Sequence, residues 1–374
     1  MKTKIVGLIY TGEKTERLRE LTSRRSLAAL PLLGRYRLID FILSNMVNSG
    51  MKNVGIIMQS NYQSLLDQLG SGREWDLHGK RSGMTLLPPF ATTDSSNSYT
   101  GLLDALKSNM NFLRRNSERY IATSESGFLY SMHFEDMLDF HLKNEADITF
   151  AYTKDRDSRR NGIGRYLGID QNNVVTHIEV DPAIPRYENT YLGVFLMRRE
   201  LLINLVDRAT SQGFHHFTRE MMIRVLAEGQ HKIVGYELPT KPFNIDSVQA
   251  YYNANMALLD QENRKDLFDL RRPVWTKLRD EMPSQYSKGA KVSNSLVADG
   301  CIIEGEVEDS ILFRGVKVMP GSKIKGCIIM QDSIIGNGAH IENCILDKRT
   351  TVRENSKLTA TPGYPFVVPK NLTI

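Results

Sequence analysis

The chain of 374 residues has few residues that could bind a transition metal or form disulfides. Its three cysteines, Cys301, Cys327 and Cys344, lack CxxC spacing, and an odd number of thiols in the last quarter of the chain does not make a disulfide framework. Of the eight histidines only His215 and His216 are adjacent, and no HExxH pattern occurs. The sequence therefore predicts structural thiols and no zinc or histidine-bound metal.

Long apolar runs and long runs of one charge are also missing. No stretch approaches the roughly 18 apolar residues of a membrane span, and the first residues contain no signal-peptide cleavage site. The net charge is +5, but no nucleic-acid-binding module is recognisable. We therefore expect a soluble, cytoplasmic protein that binds no membrane and no nucleic acid, and whose positive charge suits small anionic ligands.

What the sequence does contain is a regular alternation of strand and helix patterns. Apolar, β-rich runs at residues 4–10 and 53–58 flank a helical pattern at 37–48, and the alternation continues along the chain. It predicts an α/β domain with a mostly parallel sheet, whose ligands bind at the carboxyl ends of the strands. We assign residues 1–261 to this domain and the polar residues 262–288 to a linker.

Residues 289–374 are predicted to form a second domain, built from a repeat. Aliphatic residues recur every 17 positions in three interleaved columns, which is typical of a triangular parallel β-helix. An antiparallel sheet would alternate every two residues instead. Cys327 and Cys344 are also 17 apart, so we expect them to stack. The columns are Val307, Ile324 and Ile341; Leu312, Ile329 and Leu346; and Val318, Ile335 and Val352.

One segment near the N-terminus narrows the fold to a family. Residues 31–50, PLLGRYRLIDFILSNMVNSG, resemble the P-x-x-G-K-Y-R-I-I-D-F, L-S-N and N-S-G pattern of the glucose-1-phosphate adenylyltransferases, and further matches extend into the coils. The resemblance implies a Rossmann-like nucleotidyltransferase domain followed by a left-handed parallel β-helix of hexapeptide-type coils. It also implies a role in glycogen biosynthesis, where ATP and glucose-1-phosphate give ADP-glucose and pyrophosphate.

The loop expected to contact the nucleotide phosphates departs from the family pattern. The family has about G-G-x-G-T-R-L, whereas residues 12–18 read GEKTERL, so that Gly12 and Arg17 remain. The residues that replace the glycines have side chains, which hinder a close approach of the backbone to the phosphates. Glu13 and Glu16 also bring negative charge towards a triphosphate. ATP binding is therefore expected to be weakened.

Two further positions match nucleotide contacts of the family. Gln59 corresponds to its adenine-contacting glutamine and Gly101 to its ribose-side glycine. Together with Gly12 and Arg17 they form the nucleotide-binding remnant that the resemblance implies. A structural role for a polar residue at a strand end is the alternative.

Four functional positions of the family have changed. Leu27 replaces a lysine near the phosphates, and Asp181 replaces the lysine of the sugar phosphate. Gly127 and Asn244 stand where the family has its two metal-binding aspartates. Because adenylyl transfer depends on positioning and electrostatic stabilisation, these losses imply no catalytic residue and no metal in this chain. The pattern resembles a regulatory (GlgD-type) subunit in a bacterial heterotetramer, with Mg²⁺ bound by the catalytic partner.

Other functions stay open on the sequence alone. One is an active adenylyltransferase with relocated metal carboxylates, Glu125 and Asp246, although two residues of extended chain displace a ligand by about 6–7 Å. Another is a hexapeptide acyltransferase with His340 as base, against which the preceding domain argues. A scaffold without ligands is a third.

Basic residues close to the N-terminal strand indicate an allosteric site. Arg24, Arg25 and Arg35 match basic positions near the family's effector site, where phosphorylated metabolites bind. Arginine suits bidentate contacts with phosphate or sulfate. A solvated surface is the alternative, because the sequence shows proximity along the chain and not in space.

Overall fold

The computed structural model describes residues 4–12, 16–59, 61–79, 82–89, 99–154 and 164–374. The chain divides into two compact units. Unit 1 comprises residues 1–14, 26–28 and 41–242, and unit 2 comprises residues 15–25, 29–40 and 243–374. Among the described residues, no helix is long and apolar enough to cross a membrane.

Unit 1 is built around one nine-stranded sheet. In chain order its strands are β1 (Ile5–Tyr10), β2 (Val54–Ile57), β3 (Met84–Leu87), β4 (Tyr120–Glu125), β5 (Ile148–Lys154), β6 (Arg165–Ile169), β7 (Val175–Val180), β8 (Asn189–Arg198) and β9 (Ile233–Glu237). They are ordered β7-β6-β8-β4-β1-β2-β3, and β5 pairs with β8 and β9. The central strands β4, β1 and β2 are parallel, whereas β8 is antiparallel to β4, β5 and β6.

The strands form where the sequence predicts continuous apolar runs. Every residue of β1 is buried, as expected for a central strand covered on both faces. The α-helices of unit 1 are α1 (Leu38–Asn48, which begins in unit 2), α2 (Gln63–Leu69), α3 (Leu102–Ser108), α4 (Met110–Arg115), α5 (Phe134–Lys143), α6 (Arg199–Ser211) and α7 (Ile223–Glu228). Just before α7, a π-helical turn covers Phe217–Met222. Short 3₁₀ turns cover Glu16–Leu21, Leu27–Ala29 and Arg73–Trp75.

Unit 2 contains a stack of parallel coils, preceded by α8 (Val248–Ala257) and α9 (Gln261–Lys265). The coils contribute strands to three five-stranded parallel sheets. The first contains Gln285–Tyr286, Ile302–Ile303, Lys317–Val318, Ile334–Ile335 and Thr351–Val352. The second contains Lys291–Ser293, Glu306–Glu308, Lys323–Lys325, His340–Glu342 and Lys357–Thr359. The third contains Leu296–Val297, Ile311–Leu312, Ile328–Ile329, Cys344–Leu346 and Phe366–Val368.

The strand register confirms the predicted repeat. Leu312 pairs with Ile329, which pairs with Leu346, and the other two predicted columns follow the same rule. All nine side chains are buried inside the coils. Cys327 and Cys344 hold equivalent places on successive coils and are buried, and burial raises the pKa of the Cys344 thiol to about 11. The predicted fold class is therefore confirmed.

Candidate nucleotide and anion sites

In unit 1, the residues that we expect to contact the nucleotide are packed against side chains of the protein itself. Gly12 follows β1, and a Cβ there would lie 2.5 Å from both Gln59 Cγ and the Tyr10 ring, so only glycine fits. Gln59 uses both ends of its amide on Tyr99, because Nε2 donates to the Tyr99 carbonyl (3.0 Å) and Oε1 accepts from the Tyr99 N–H (3.1 Å). The amide predicted to recognise adenine is thus already paired with backbone.

Gly101 and the two glutamates of the phosphate loop are the other positions that we expect to affect the nucleotide. Gly101 precedes α3 in an extended conformation, and a Cβ there would lie 3.5 Å from the His215 carbonyl oxygen. Glu13, which we expect to repel a triphosphate, lies outside the described residues. Glu16 is exposed and lines a cavity of unit 2 together with Arg17.

The last basic residue of the phosphate loop, Arg17, is paired in unit 2. Its Nη1 donates to Asp246 Oδ2 at 2.9 Å. Asp246 is the carboxylate that would have to act as a relocated metal ligand. Arg17, the candidate for binding the nucleotide, and Asp246, the candidate for binding a metal, therefore neutralise each other. Neither presents an uncompensated charge to a nucleotide or a cation.

The second relocated carboxylate, Glu125, is paired in unit 1. Arg165 donates from Nη1 to Oε1 at 2.6 Å and from Nη2 to Oε2 at 2.5 Å. The guanidinium carbon of Arg165 also lies 4.7 Å from the centre of the Tyr191 ring. Gly193, at φ +74°, makes room for this group, because a Cβ there would lie 2.8 Å from the Glu125 side chain. An arginine thus supplies the positive charge at the carboxyl end of β4.

Three of the four substituted positions carry uncharged residues, and each is described within its own unit. Gly127 lies between β4 and the short strand Phe128–Leu129, and a Cβ there would meet nothing within 4 Å. Asn244 is half-buried in the short strand Phe243–Asn244. Leu27 is 2% exposed, so it serves as a core residue. Within the described residues, no group of three or more His, Cys, Asp or Glu side chains could hold a metal ion.

Asp181 reverses the charge of the sugar-phosphate lysine and is itself bound. Oδ1 accepts from the Gly164 N–H at 3.0 Å, and Oδ2 accepts from Arg219 Nη2 at 3.1 Å. The residue has a left-handed backbone, with φ +49°. Its carboxylate therefore joins the residue before β6 to the π-helical turn, and a paired carboxylate stands where the family has the lysine of the sugar phosphate.

The structure separates the three arginines proposed for an effector. Arg25 is buried and ion-paired with Asp347, whose two oxygens both lie 2.7 Å from its Nη2. Arg24 lines a cavity of about 550 Å³ together with Lys370 and Asp347. Arg35 is not among the lining residues of this cavity. Of the three arginines only Arg24 therefore lines this cavity, and Arg25 adjoins it through its ion pair with the lining residue Asp347.

Two lysines that the sequence analysis missed belong with that cavity. Burial, followed by repulsion from Arg37 and Arg25, lowers the pKa of Lys348 to about 7. Burial also lowers the pKa of Lys370, and the nearby Arg25 and Arg24 add to this effect. Both lysines stand on turns of the coil region, and only the coil register brings both of them close to Arg25. Arg24 and Lys370 line the cavity together with Glu20 and Asp347, and Asp347 is contacted by Arg25 and by the Lys348 N–H. We name this set of positive residues the basic cavity: Arg24, Arg25, Lys348 and Lys370.

Comparison with known families defines the class of protein. The family model described as "Nucleotidyl transferase" matches residues 6–261, and the one described as "GlmU-like, C-terminal hexapeptide" matches residues 282–362. The chain is thus a nucleotidyl transferase-type domain followed by hexapeptide coils.

Full-length relatives narrow the class further. The chain is 33% identical over 371 residues to a glucose-1-phosphate adenylyltransferase of Bacillus cytotoxicus, covering 98% of both chains. It is 30% identical over 371 residues to the glucose-1-phosphate adenylyltransferase of Bacillus mycoides, again covering 98% of both. The chain therefore belongs to the glucose-1-phosphate adenylyltransferase family.

Proposed function

We propose that this chain is a non-catalytic, regulatory subunit that modulates a catalytic homologue in glucose-1-phosphate adenylyl transfer. The observation that carries the proposal is the state of Glu125 and Asp246. These are the carboxylates that would replace the family's metal ligands, and each is bound by an arginine, Arg165 or Arg17. Both Glu125 oxygens accept from Arg165, and Asp246 Oδ2 accepts from Arg17, so a cation at either carboxylate would have to compete with a guanidinium.

The chemistry of the reaction explains why these losses matter together. Transfer of an adenylyl group from ATP to glucose-1-phosphate builds negative charge between two anions, which Mg²⁺ and lysines normally neutralise. At the two metal positions Gly127 offers no ligand and Asn244 only an uncharged amide oxygen, and at the two lysine positions Leu27 and Asp181 offer no cation. The residues present do not fit a catalytic magnesium. We therefore assign Mg²⁺ to the catalytic partner and expect no turnover from this chain alone.

The basic cavity supports a regulatory role. Arg24 and Lys370 line it, and burial, followed by repulsion from Arg37 and Arg25, lowers the pKa of Lys348. A phosphorylated metabolite, or phosphate itself, would relieve that repulsion by adding negative charge. We therefore propose that the cavity is the effector site of this chain, and that its occupancy changes the rate of the catalytic partner in a hetero-oligomer.

The proposal is tested by three parallel assays of adenylyl transfer. This chain, the catalytic homologue from the same organism and their mixture are assayed with ATP and glucose-1-phosphate, and the mass of each sample is measured. We expect less than about 1% of the homologue's rate from this chain alone, and a hetero-oligomer with an altered rate or phosphate response from the mixture. Arg24→Gln with Lys370→Gln should remove the phosphate response without preventing assembly.

The active-enzyme alternative makes the opposite prediction. It requires turnover of the isolated chain on the order of 1 s⁻¹ or more. It also requires Glu125→Gln or Asp246→Asn to abolish that turnover. This combination would refute the regulatory assignment, whereas residual turnover unaffected by both substitutions would point to a contaminating enzyme.

A further inference from the structure

Near its end, the coil region carries two exposed aromatic side chains beside a cavity of unit 2. Tyr364 is 69% exposed and Phe366 is 52% exposed. Both line a cavity of about 570 Å³, together with Val248, Pro365 and Val367. This volume lies within the range of sites for small organic ligands. We name it the aromatic cavity after Tyr364 and Phe366, and the function proposed above makes no use of it.

The backbone that carries both rings is anchored. The Tyr364 N–H donates to the Thr361 carbonyl at 2.9 Å, which closes a turn. Gln249 Nε2 donates to the Pro362 carbonyl of the same turn at 2.7 Å. Phe366 begins the coil strand Phe366–Val368, which pairs with a strand of the preceding coil. The backbone under the rings is thus already ordered, so a ligand loses little free energy in ordering it.

Arg19 contacts the Tyr364 side chain from a strained part of the backbone. Its φ of 46° and ψ of −117° are a combination that residues with a side chain rarely adopt. Its Nη1 donates to the Tyr364 hydroxyl at 3.3 Å. Strained backbone persists where the surrounding structure fixes it, and it is concentrated at ligand sites. The strain at Arg19 therefore indicates a role for this cavity beyond packing.

The lining also contains groups that can form hydrogen bonds with hydroxyls. Gln249 lines the cavity, and its Oε1 is buried without a hydrogen-bond partner among the residues that the structure describes. Buried acceptors are nearly always paired, so the fold leaves one acceptor of this lining unused. The carboxylate of Glu20 accepts hydrogen bonds, and the guanidinium of Arg19 donates them. Both residues line the cavity.

The charges of the lining are balanced. Its charged residues are two carboxylates, Glu16 and Glu20, and two guanidiniums, Arg17 and Arg19. Arg17 is already paired with Asp246. A phosphate therefore gains no net attraction from this lining, and an uncharged ligand suits it better.

A saccharide meets all of these conditions. Its ring has an apolar C–H face, which packs on aromatic side chains, and hydroxyl groups along the edge, which both donate and accept hydrogen bonds. We propose that the aromatic cavity binds an uncharged saccharide, with the ring on Tyr364 and Phe366 and the hydroxyl groups on Arg19 and Glu20. Arg19 and Glu20 also line the cavity that contains Arg24, but none of the four residues of the basic cavity lines the aromatic cavity. The inference concerns unit 2 alone, so it does not depend on the proposed function.

Isothermal titration of the full chain with maltotriose and with glucose tests the site. We expect maltotriose to bind with a Kd on the order of 1 mM or lower. Tyr364→Ala and Phe366→Ala should each weaken this binding at least about fivefold, because each removes one aromatic surface. Tyr286→Ala is the matched control. It removes an aromatic residue that is 53% exposed on another coil and outside the cavity, so it should bind like wild type.

Further variants separate saccharide binding from unfolding and from the basic cavity. The Tm of every variant is measured, and because both rings are exposed we expect values within about 2 °C of wild type. Tyr364→Phe keeps the ring and should keep most of the affinity. Arg24→Gln with Lys370→Gln alters the basic cavity and should leave maltotriose binding intact. Inorganic phosphate should not displace the saccharide.

The two ligands distinguish the source of the saccharide. Tighter binding of maltotriose than of glucose supports a chain of α-linked glucose units, whereas equal binding supports a single free sugar. The proposal is overturned if neither ligand binds at about 10 mM. Wild-type affinity of both Tyr364→Ala and Phe366→Ala also overturns it, as does displacement of maltotriose by phosphate.

Discussion

Arg165 holds the Glu125 carboxylate with two hydrogen bonds, of 2.6 and 2.5 Å, while its guanidinium stacks on the Tyr191 ring. Both members of the ion pair are largely buried, with side-chain exposures of 21% for Arg165 and 13% for Glu125. The pair lies where β4 ends, at the carboxyl edge of the parallel part of the sheet. In doubly wound folds this edge receives the ligand. In this chain the guanidinium of Arg165 lies at this edge of the sheet.

Arg165→Met should therefore lower the free energy of unfolding by about 2–4 kcal/mol, because it leaves the Glu125 carboxylate buried without its partner. Chemical denaturation measures the effect. The double variant Arg165→Met with Glu125→Gln should be more stable than the single one, which a double-mutant cycle would reveal. Arg186→Met, at an exposed arginine, serves as the control and should change stability by less than about 0.5 kcal/mol. If Arg165→Met lowered the free energy of unfolding by no more than the control does, the ion pair would contribute little to stability.

Gly127→Asp restores a carboxylate that the family uses. Because a Cβ at Gly127 meets no atom within 4 Å, we expect the variant to fold with stability within about 1 kcal/mol of wild type. It should still give no adenylyl transfer alone, since the second carboxylate and the lysines are missing. Activity and unfolding are measured on the same preparation. Turnover by this single variant would show that one metal ligand was the only defect.

Arg25→Met breaks the buried ion pair with Asp347. The Asp347 carboxylate would then be buried without its main partner, so the free energy of unfolding should fall by about 3 kcal/mol. Arg24→Met is the matched control, because it removes a neighbouring exposed arginine and should cost less than about 0.5 kcal/mol. Equal effects of the two substitutions would contradict the structural role of Arg25.

Lys348 should make stability depend on pH. Its pKa is about 7 in the folded chain against the ordinary 10.5, so between these values the unfolded chain binds more protons and stability rises with pH. Below pH 7 the destabilisation is fully present, at about 2–4 kcal/mol once partial exposure is allowed for. Lys348→Met should therefore be more stable than wild type at pH 6, and this advantage should shrink towards pH 10. Urea unfolding at several pH values measures it, and an advantage that does not change with pH would contradict the lowered pKa.

The same group links pH to anion binding in the basic cavity. Only the protonated Lys348 attracts an anion, so phosphate affinity should fall as pH rises through about 7 and beyond. The decline should be much smaller in Lys348→Met. Isothermal titration with inorganic phosphate distinguishes this from the second ionisation of phosphate itself, which affects both proteins alike.

Much of the fold follows from local pattern. The apolar run of β1 and the 17-residue columns through Leu312, Ile329 and Leu346 have the periods of a buried strand and of stacked coils, and the structure has both. The antiparallel insertion of β8 into the sheet leaves no comparable trace, because strand direction is decided by long connections and packing. The π-helical turn Phe217–Met222 likewise looks like ordinary helix in the sequence.

The residue types alone reveal which groups of the family are missing: the aspartates, lysines and glycines replaced at Gly127, Asn244, Leu27, Asp181 and the phosphate loop. The residue type at each position can be read directly from the sequence, whereas the residues that it will contact cannot. Folding brings Arg165 to Glu125, 40 residues away, and Arg17 to Asp246, 229 residues away, and no local pattern predicts either pair. Side chains far apart in the chain meet only after the strands and coils of their own unit have packed, so the charge state of each ion pair is a property of the fold.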